Sequence, residues 1–284
     1  MLKSVNQWCF PDDTPYKESV ALAAKCGYEA FEPAVGEGGE LAPDTAPAKI
    51  DELRKLIEDS GLKMSSLASG FGWTYPCTSS DKAIRQKGVD LLRSQIAIAQ
   101  RLGAPVILAV PGMSGTGWWS YQGNERYDEA YDNALESFSQ LKADAEAAKV
   151  IIGIENVWNK FLVSPLEMRD FIDKLNSPYI GAYFDVGNLA NFGVAEHWIA
   201  ILGKRIARVH VKDYRNEAGG FAGFVDLLAG DVNWPAVVEA LKAIGYDGPL
   251  TAEIGGYKTF TTHNIASISG ALDAILGRKC CCCG

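Results

Sequence analysis

Four side chains able to bind a divalent cation each follow a short β-type run in the second half of this chain. Glu155 follows Ile151-Ile152-Gly153-Ile154, Asp185 follows Ala182-Tyr183-Phe184, His210 follows Ala207-Arg208-Val209, and Glu253 follows Leu250-Thr251-Ala252. Carboxylates are hard oxygen donors and imidazole is a borderline nitrogen donor, so this set suits one divalent ion, Mn2+ first, with Mg2+, Co2+ or Zn2+ as alternatives. If the four runs are neighbouring parallel strands, their ends share one rim and the side chains converge there. An ion chelating a substrate carbonyl and an adjacent hydroxyl acidifies the neighbouring C–H and stabilises the enediolate left by deprotonation. Glu155 and Glu253, on the first and last of the four strands, are the pair placed to take a proton from one face and return it to the other. Asp185 and His210 are then plain ligands. The chain has three histidines. His197 falls in an apolar helix beside Trp198, and His263 falls at the entry to the last helix without an assigned role, so a three-zinc phosphodiesterase site lacks the imidazoles it needs.

The elements that must position these residues repeat along the whole chain. Strand-like runs near 3–9, 28–34, 63–69, 104–110, 150–156, 180–186, 206–212 and 249–254 alternate with segments of helical spacing. Ile50, Leu53, Leu56 and Ile57 form one apolar helical face, and Leu91, Leu92, Ile96, Ile98, Ala99 and Leu102 another. Gly27, Gly61, Gly103 and Gly245 each stand just past a helical run, where a left-handed cap is wanted. Eight βα units joined this way predict an α/β chain folded as a single (β/α)8 barrel over residues 1–278. An open doubly wound sheet is the competing topology, but no G-x-G-x-x-G or G-x-x-x-x-G-K-[ST] follows any strand. Residues 279–284, with the run Cys280-Cys281-Cys282-Cys283, are read as a tail outside the fold, because adjacent cysteines lack the spacers of a zinc site.

In a barrel the loops after the strands build the pocket. Those loops are rich in glycine and aromatic residues, including Trp73 after the third strand and Trp118 after the fourth, whose flat faces suit the C–H faces of a sugar. Lys212, Arg215 and Lys258 near the same rim are candidates for neutralising a phosphate dianion, and Arg215 equally for hydrogen bonding sugar hydroxyls.

At 284 residues with 48% hydrophobic content, the chain is long enough to bury one large core. Its net charge of −8 disfavours polyanions, so nucleic acid is not an expected partner; a small-molecule sugar or sugar phosphate is, with self-association left open. No leader-like segment or membrane-length apolar run is present, which reads as cytoplasmic. Cys9, Cys26 and Cys77 are scattered singly, as reduced thiols usually are.

Ile154-Glu155-Asn156, Phe184-Asp185-Val186-Gly187-Asn188, Val209-His210-Val211-Lys212-Asp213, the Ala229-Gly230-Asp231-Val232-Asn233-Trp234 turn and Ala252-Glu253-Ile254 together resemble the xylose-isomerase-like superfamily of sugar isomerases and epimerases. The resemblance implies a TIM barrel with a Glu-Asp-His-Glu metal site whose two glutamates also act as acid and base. Asn188, an expected substrate contact, stands three residues after Asp185 where tagatose-epimerase types usually have a His, and Trp158-Asn159-Lys160-Phe161 where they have a second Glu. The Asp-Val-Gly-Asn-Leu phrase resembles the sugar-phosphate epimerase branch. The expected activity is a metal-dependent ketose or ketose-phosphate 3-epimerase or isomerase. A dehydratase-like or keto-glycoside lyase, and a non-catalytic sugar-binding barrel, are the alternatives on the same scaffold.

Overall fold

The expected alternation of strands and helices is present in the computed structural model, which describes residues 1–116, 123–255 and 259–278. The eight strands are β1 (Leu2–Asn6), β2 (Ala30–Glu32), β3 (Lys63–Met64), β4 (Val106–Ala109), β5 (Ile151–Glu155), β6 (Ile180–Asp185), β7 (Ile206–Val211) and β8 (Pro249–Ala252). They form one parallel sheet in the order β3-β2-β1-β8-β7-β6-β5-β4. The ends of that sheet meet at Leu67, whose N–H donates to the Val106 carbonyl and whose carbonyl accepts from Leu108 N–H, both at 2.9 Å. Closure removes both sheet edges and makes a TIM barrel.

The helices packed around the barrel are α1 (Tyr16–Lys25), α2 (Pro47–Asp59), α3 (Lys82–Leu102), α4 (Tyr127–Ala148), α5 (Pro165–Leu175), α6 (Ala195–Leu202), α7 (Trp234–Ala243) and α8 (Thr261–Ile275). Each lays an apolar face on the outside of the barrel, and the main core lies between: Val5, Phe31, Ile107, Ile154, Phe184 and Val209 from the strands are fully buried against it. The four glycines expected past helix ends all take positive φ, 75° at Gly27, 81° at Gly61, 76° at Gly103 and 77° at Gly245. No helix among the described residues is long and apolar enough to cross a membrane.

Three strands are shorter than their apolar runs. β1 stops at Asn6, whose side chain accepts from Trp8 N–H at 2.6 Å and turns the chain into a 3-10 turn. Pro33, without an N–H, ends β2. Ala34–Val35 then pairs separately with Ala68–Ser69, so the second and third runs each divide in two. The weak β3–β4 seam is stitched from outside by Gln95 of α3, which donates to the Leu67 and Leu108 carbonyls at 2.8 and 3.1 Å.

Two features set the rim. In the β6–β7 pair the register shifts between Ala182↔Ile206 and Tyr183↔Arg208, a bulge that leaves Ala207 extra and brings Asp185 level with His210. Without it Asp185 would face Val209, whose side chain points to the opposite face. Beyond β7, buried Asp213 gathers the following loop: its carboxylate accepts from Tyr214 N–H at 2.9 Å, Leu228 N–H at 2.8 Å and the Trp234 indole at 2.9 Å. A Cβ on Gly230 would lie 2.2 Å from that carboxylate, so the Gly-Asp-Val-Asn-Trp turn needs glycine to close over it. Replacing Asp213 by Ala strands these donors and is expected to lower unfolding stability by about 2–4 kcal/mol in urea titrations.

Candidate metal centre

Glu155 closes β5, Asp185 closes β6, His210 stands one residue before the end of β7, and Glu253 follows β8 directly. Each offers one ligand atom, and these atoms all lie within 4.8 Å of one another. Thus the four side chains picked out by strand-end spacing converge. Asp185 and His210 are fully buried, Glu155 is 5% exposed, and the Glu253 side chain is 19% exposed towards the cavity.

His210 shows how the cluster is held. Its Nε2 lies 2.7 Å from Glu32 Oε2, while Nδ1 faces Glu253 Oε2 at 2.7 Å and Glu155 Oε1 at 3.6 Å. If Nε2 carries the proton donated to Glu32, Nδ1 presents a lone pair to the carboxylates. That atom is buried, and its close approach to Glu253 Oε2 does not have the angles of a hydrogen bond. A buried acceptor aimed at three carboxylates is what a cation would complete, so the residues present fit a divalent ion. Glu32 is itself fixed by Asn6 Nδ2 at 2.5 Å, Ser66 Oγ at 2.6 Å and the Tyr183 hydroxyl at 2.5 Å.

The charges partly compensate one another. Lys212 points to the same barrel face as His210, two residues earlier, and its ammonium donates to Asp185 Oδ2 at 2.6 Å and Glu253 Oε2 at 2.5 Å. Burial would raise Glu253, but Lys212 and His210 outweigh it and hold the carboxyl down at about 2. Glu155 has no such contact with Lys212, and burial pushes it up to about 7. Burial also raises Asp185. Burial pulls His210 down, and the surrounding carboxylates, Glu32 foremost, more than reverse this and carry it well above its ordinary value.

Backbone and amide contacts fix the acidic side chains. Asn156 spans β5 and β6, donating to the Asp185 carbonyl at 2.8 Å and accepting from Asp185 N–H at 2.9 Å. Asn188 N–H donates to Asp185 Oδ1 at 2.7 Å, and its amide donates to Glu155 Oε1 at 3.3 Å. Between them Gly187 passes so close to β7 that a Cβ would lie 2.5 Å from Lys212 Cβ.

A cavity of about 540 Å³ opens above the cluster, lined at its base by Glu155, Asn188, Lys212 and Glu253 and at its sides by aromatic residues that include Trp73. A larger cavity, about 980 Å³, opens at the opposite end of the barrel around Arg205, Arg208 and Tyr246, remote from these ligands. Of the expected substrate contacts, Asn188 and Trp73 line the cavity over the cluster, whereas Arg215 does not: its guanidinium donates to the Ala229 carbonyl at 2.5 Å. Arg215 follows the hairpin that pairs Asp213–Tyr214 with Phe224–Val225, and it is the second strand of that hairpin, Phe224–Val225, that lines the cavity. Trp118 and Lys258 lie outside the described residues. His197 and His263 are exposed and apart from the site. The strand-end reading missed Glu32, although it closes β2 as the ligands close theirs. The available signal was that shared position.

These features define a TIM barrel with a candidate divalent-metal site on its C-terminal rim. The description of the xylose isomerase-like TIM barrel family matches residues 20–275, and the chain belongs to that family. It is similar to the L-ribulose-5-phosphate 3-epimerase UlaE of Salmonella typhimurium, 27% identical over 270 residues that cover 92% of this chain and 89% of the relative. The same-named protein of Shigella flexneri serotype 5b is 27% identical over 241 residues, 84% of this chain and 81% of the relative. Among solved structures, a D-psicose 3-epimerase from Clostridium cellulolyticum H10 has a TM-score of 0.79 at 16% identity, covering 98% of this chain and 99% of that one. The 3-keto-D-glucoside 4-epimerase YcjR from E. coli has a TM-score of 0.77 at 14% identity, covering 98% and 100%. At these identities the solved structures establish the fold.

Replacing Glu32 by Gln removes the acceptor that orients His210 and is expected to weaken Mn2+ binding roughly 10–100-fold by calorimetric titration, with the far-ultraviolet dichroism unchanged. Replacing Lys212 by Met acts in the opposite sense, because it removes a positive charge beside the ion. Mn2+ is expected to bind about tenfold more tightly, while the metal-free protein melts at a lower temperature.

Proposed function

We propose that the protein is a metal-dependent sugar epimerase that inverts a ketose at C3 by proton transfer between Glu155, Glu253 and the substrate. The observation that carries this reading is that two glutamates from β5 and β8 reach one buried cluster and both line the cavity above it. The naming of the curated relatives as 3-epimerases supports it. Glu155, Asp185, His210 and Glu253 would hold the ion, with Mn2+ the ion proposed ahead of Mg2+, Co2+ or Zn2+. When bound, it supplies Lewis-acid polarisation of the carbonyl and stabilisation of the charge that develops there.

One glutamate takes the proton from C3, breaking the C–H bond, and the electron pair becomes the C2–C3 double bond of an enediolate. The other glutamate delivers a proton to the opposite face of C3, and in the reverse direction the two exchange roles. Lys212 keeps Glu253 ionised, ready to accept. Asn188 steadies Glu155, and the apolar sides of the cavity limit the water that would compete for the carbanion.

Incubation of the Mn2+-loaded protein with ketoses in D2O is expected to place deuterium at C3 of both epimers. Absence of exchange in every ketose and ketose phosphate tried would count against the proposal. In Glu253→Gln the exchange rate is expected to fall roughly 10²–10⁴-fold, the range of a lost general acid or base, with folding intact by dichroism. A simple sugar-binding protein would lose little.

A further inference from the structure

The cavity over the cluster has two kinds of surface. Its base is polar and occupied by the proposed catalytic set, whereas its sides carry Trp8, Trp73, Trp158, Phe221 and Phe224. These rings brace one another: Trp158 meets Phe221 edge-on at 5.6 Å between centroids and Phe224 at 6.0 Å, and Phe221 meets Phe224 at 5.9 Å. Such a wall offers stacking faces to the C–H side of a sugar and, apart from indole N–H groups, no positive charge to a dianion.

A phosphate ester is held by Arg or Lys forks or by free N–H groups at a helix start. Among the described residues that line this cavity the one cation is Lys212, and its ammonium is committed to Asp185 and Glu253 at 2.6 and 2.5 Å. The rim residue Asp226 has the same sign as a phosphate. Barrels commonly seat phosphate on the loops after the seventh and eighth strands. Here the start of α7 is closed by its own cap, Asn233 accepting from Ala236 N–H at 3.3 Å, and the first turn of α8 does not line the cavity. In sequence, residues 117–122 and 256–258 include one basic residue, Lys258.

The geometry points to an uncharged sugar as the substrate class: a ketose, free or carrying an uncharged group at the end remote from the carbonyl, held by stacking on the aromatic wall. This rests on the epimerase reading and departs from the phosphate esters named for the curated relatives.

The test offers the Mn2+-loaded protein free ketopentoses and ketohexoses beside their terminal phosphate esters, with kcat/KM read from product and from deuterium exchange. The free sugars are expected to be favoured by about tenfold or more, millimolar inorganic phosphate to leave KM unchanged, and Trp158→Ala to raise KM about tenfold with kcat nearly intact. A phosphate ester used as well or better overturns the inference and leaves the epimerase reading standing. A phosphate preference that vanishes in Lys258→Met overturns it equally and assigns the charge recognition to Lys258. If no sugar of either kind reacts, the epimerase reading falls. Calorimetric titration of the loaded protein with the same sugars then decides the class, tighter binding of the free sugar supporting the inference and tighter binding of the ester overturning it.

Discussion

Three carboxylates share a largely buried cluster, and at an effective dielectric constant near 20 two like charges about 4 Å apart already repel by roughly 4 kcal/mol. Positive charge must therefore be built into the same place. Lys212 supplies one unit between Asp185 and Glu253. The remaining imbalance would suit a divalent ion, and His210 Nδ1, buried beside the carboxylates, would join in once deprotonated. Much of the local architecture follows from this need. Gly187 lets the chain after β6 approach Lys212, the β6–β7 bulge brings Asp185 level with His210, and Asn156 locks the two strand ends together.

The barrel makes that concentration of charge tolerable because it separates two interiors. One side, from β1, β2 and β8 and the loop after β3, is polar: Asn6, Glu32, Ser65, Ser66 and Thr251 are fully buried and bonded to one another or to His210. The other, from β4 and the neighbouring segments, is a small apolar cluster of Ala68, Val106, Leu108, Val110, Val157 and Tyr183. Buried polar groups weaken a fold unless each finds a partner. Here the partners form a chain running from the metal cluster to the floor, where Arg208 donates to the Ser65 carbonyl at 2.8 Å.

The fold and the convergence of the four candidate ligands were legible in the sequence because both are local signals. A strand-end side chain in a parallel barrel has its position fixed by strand direction and period, and Gly27, Gly61, Gly103 and Gly245 marked the helix ends for a backbone reason. What misled was information that local spacing does not carry. Arg215 is five residues from His210, yet it extends the Asp213–Tyr214 and Phe224–Val225 hairpin, its N–H donating to the Gly223 carbonyl, and its guanidinium donates to the Ala229 carbonyl. Lys212 was legible as a rim cation, but its role as counter-ion depends on where Asp185 and Glu253 arrive, and both come from other strands. Glu32 met the same strand-end criterion as the ligands. It differs in that its carboxylate reaches His210 on the side away from the other three, a distinction set by the three-dimensional order of the strands.

Tyr183 joins the two interiors and explains why neither could be altered alone. Its ring belongs to the apolar cluster and lies edge-on to His210 at 4.4 Å between centroids, while its hydroxyl bonds Glu32 and Ser66. One side chain thus limits the tilt of the imidazole from its face and, through Glu32, fixes the partner of its Nε2. Removing the hydroxyl would leave the ring in place but take a donor from Glu32; removing the ring would open the wall beside His210. The orientation of Nδ1 is consequently held by steric packing and by hydrogen bonding together, so the candidate ligand least able to adjust is the one set most firmly in advance.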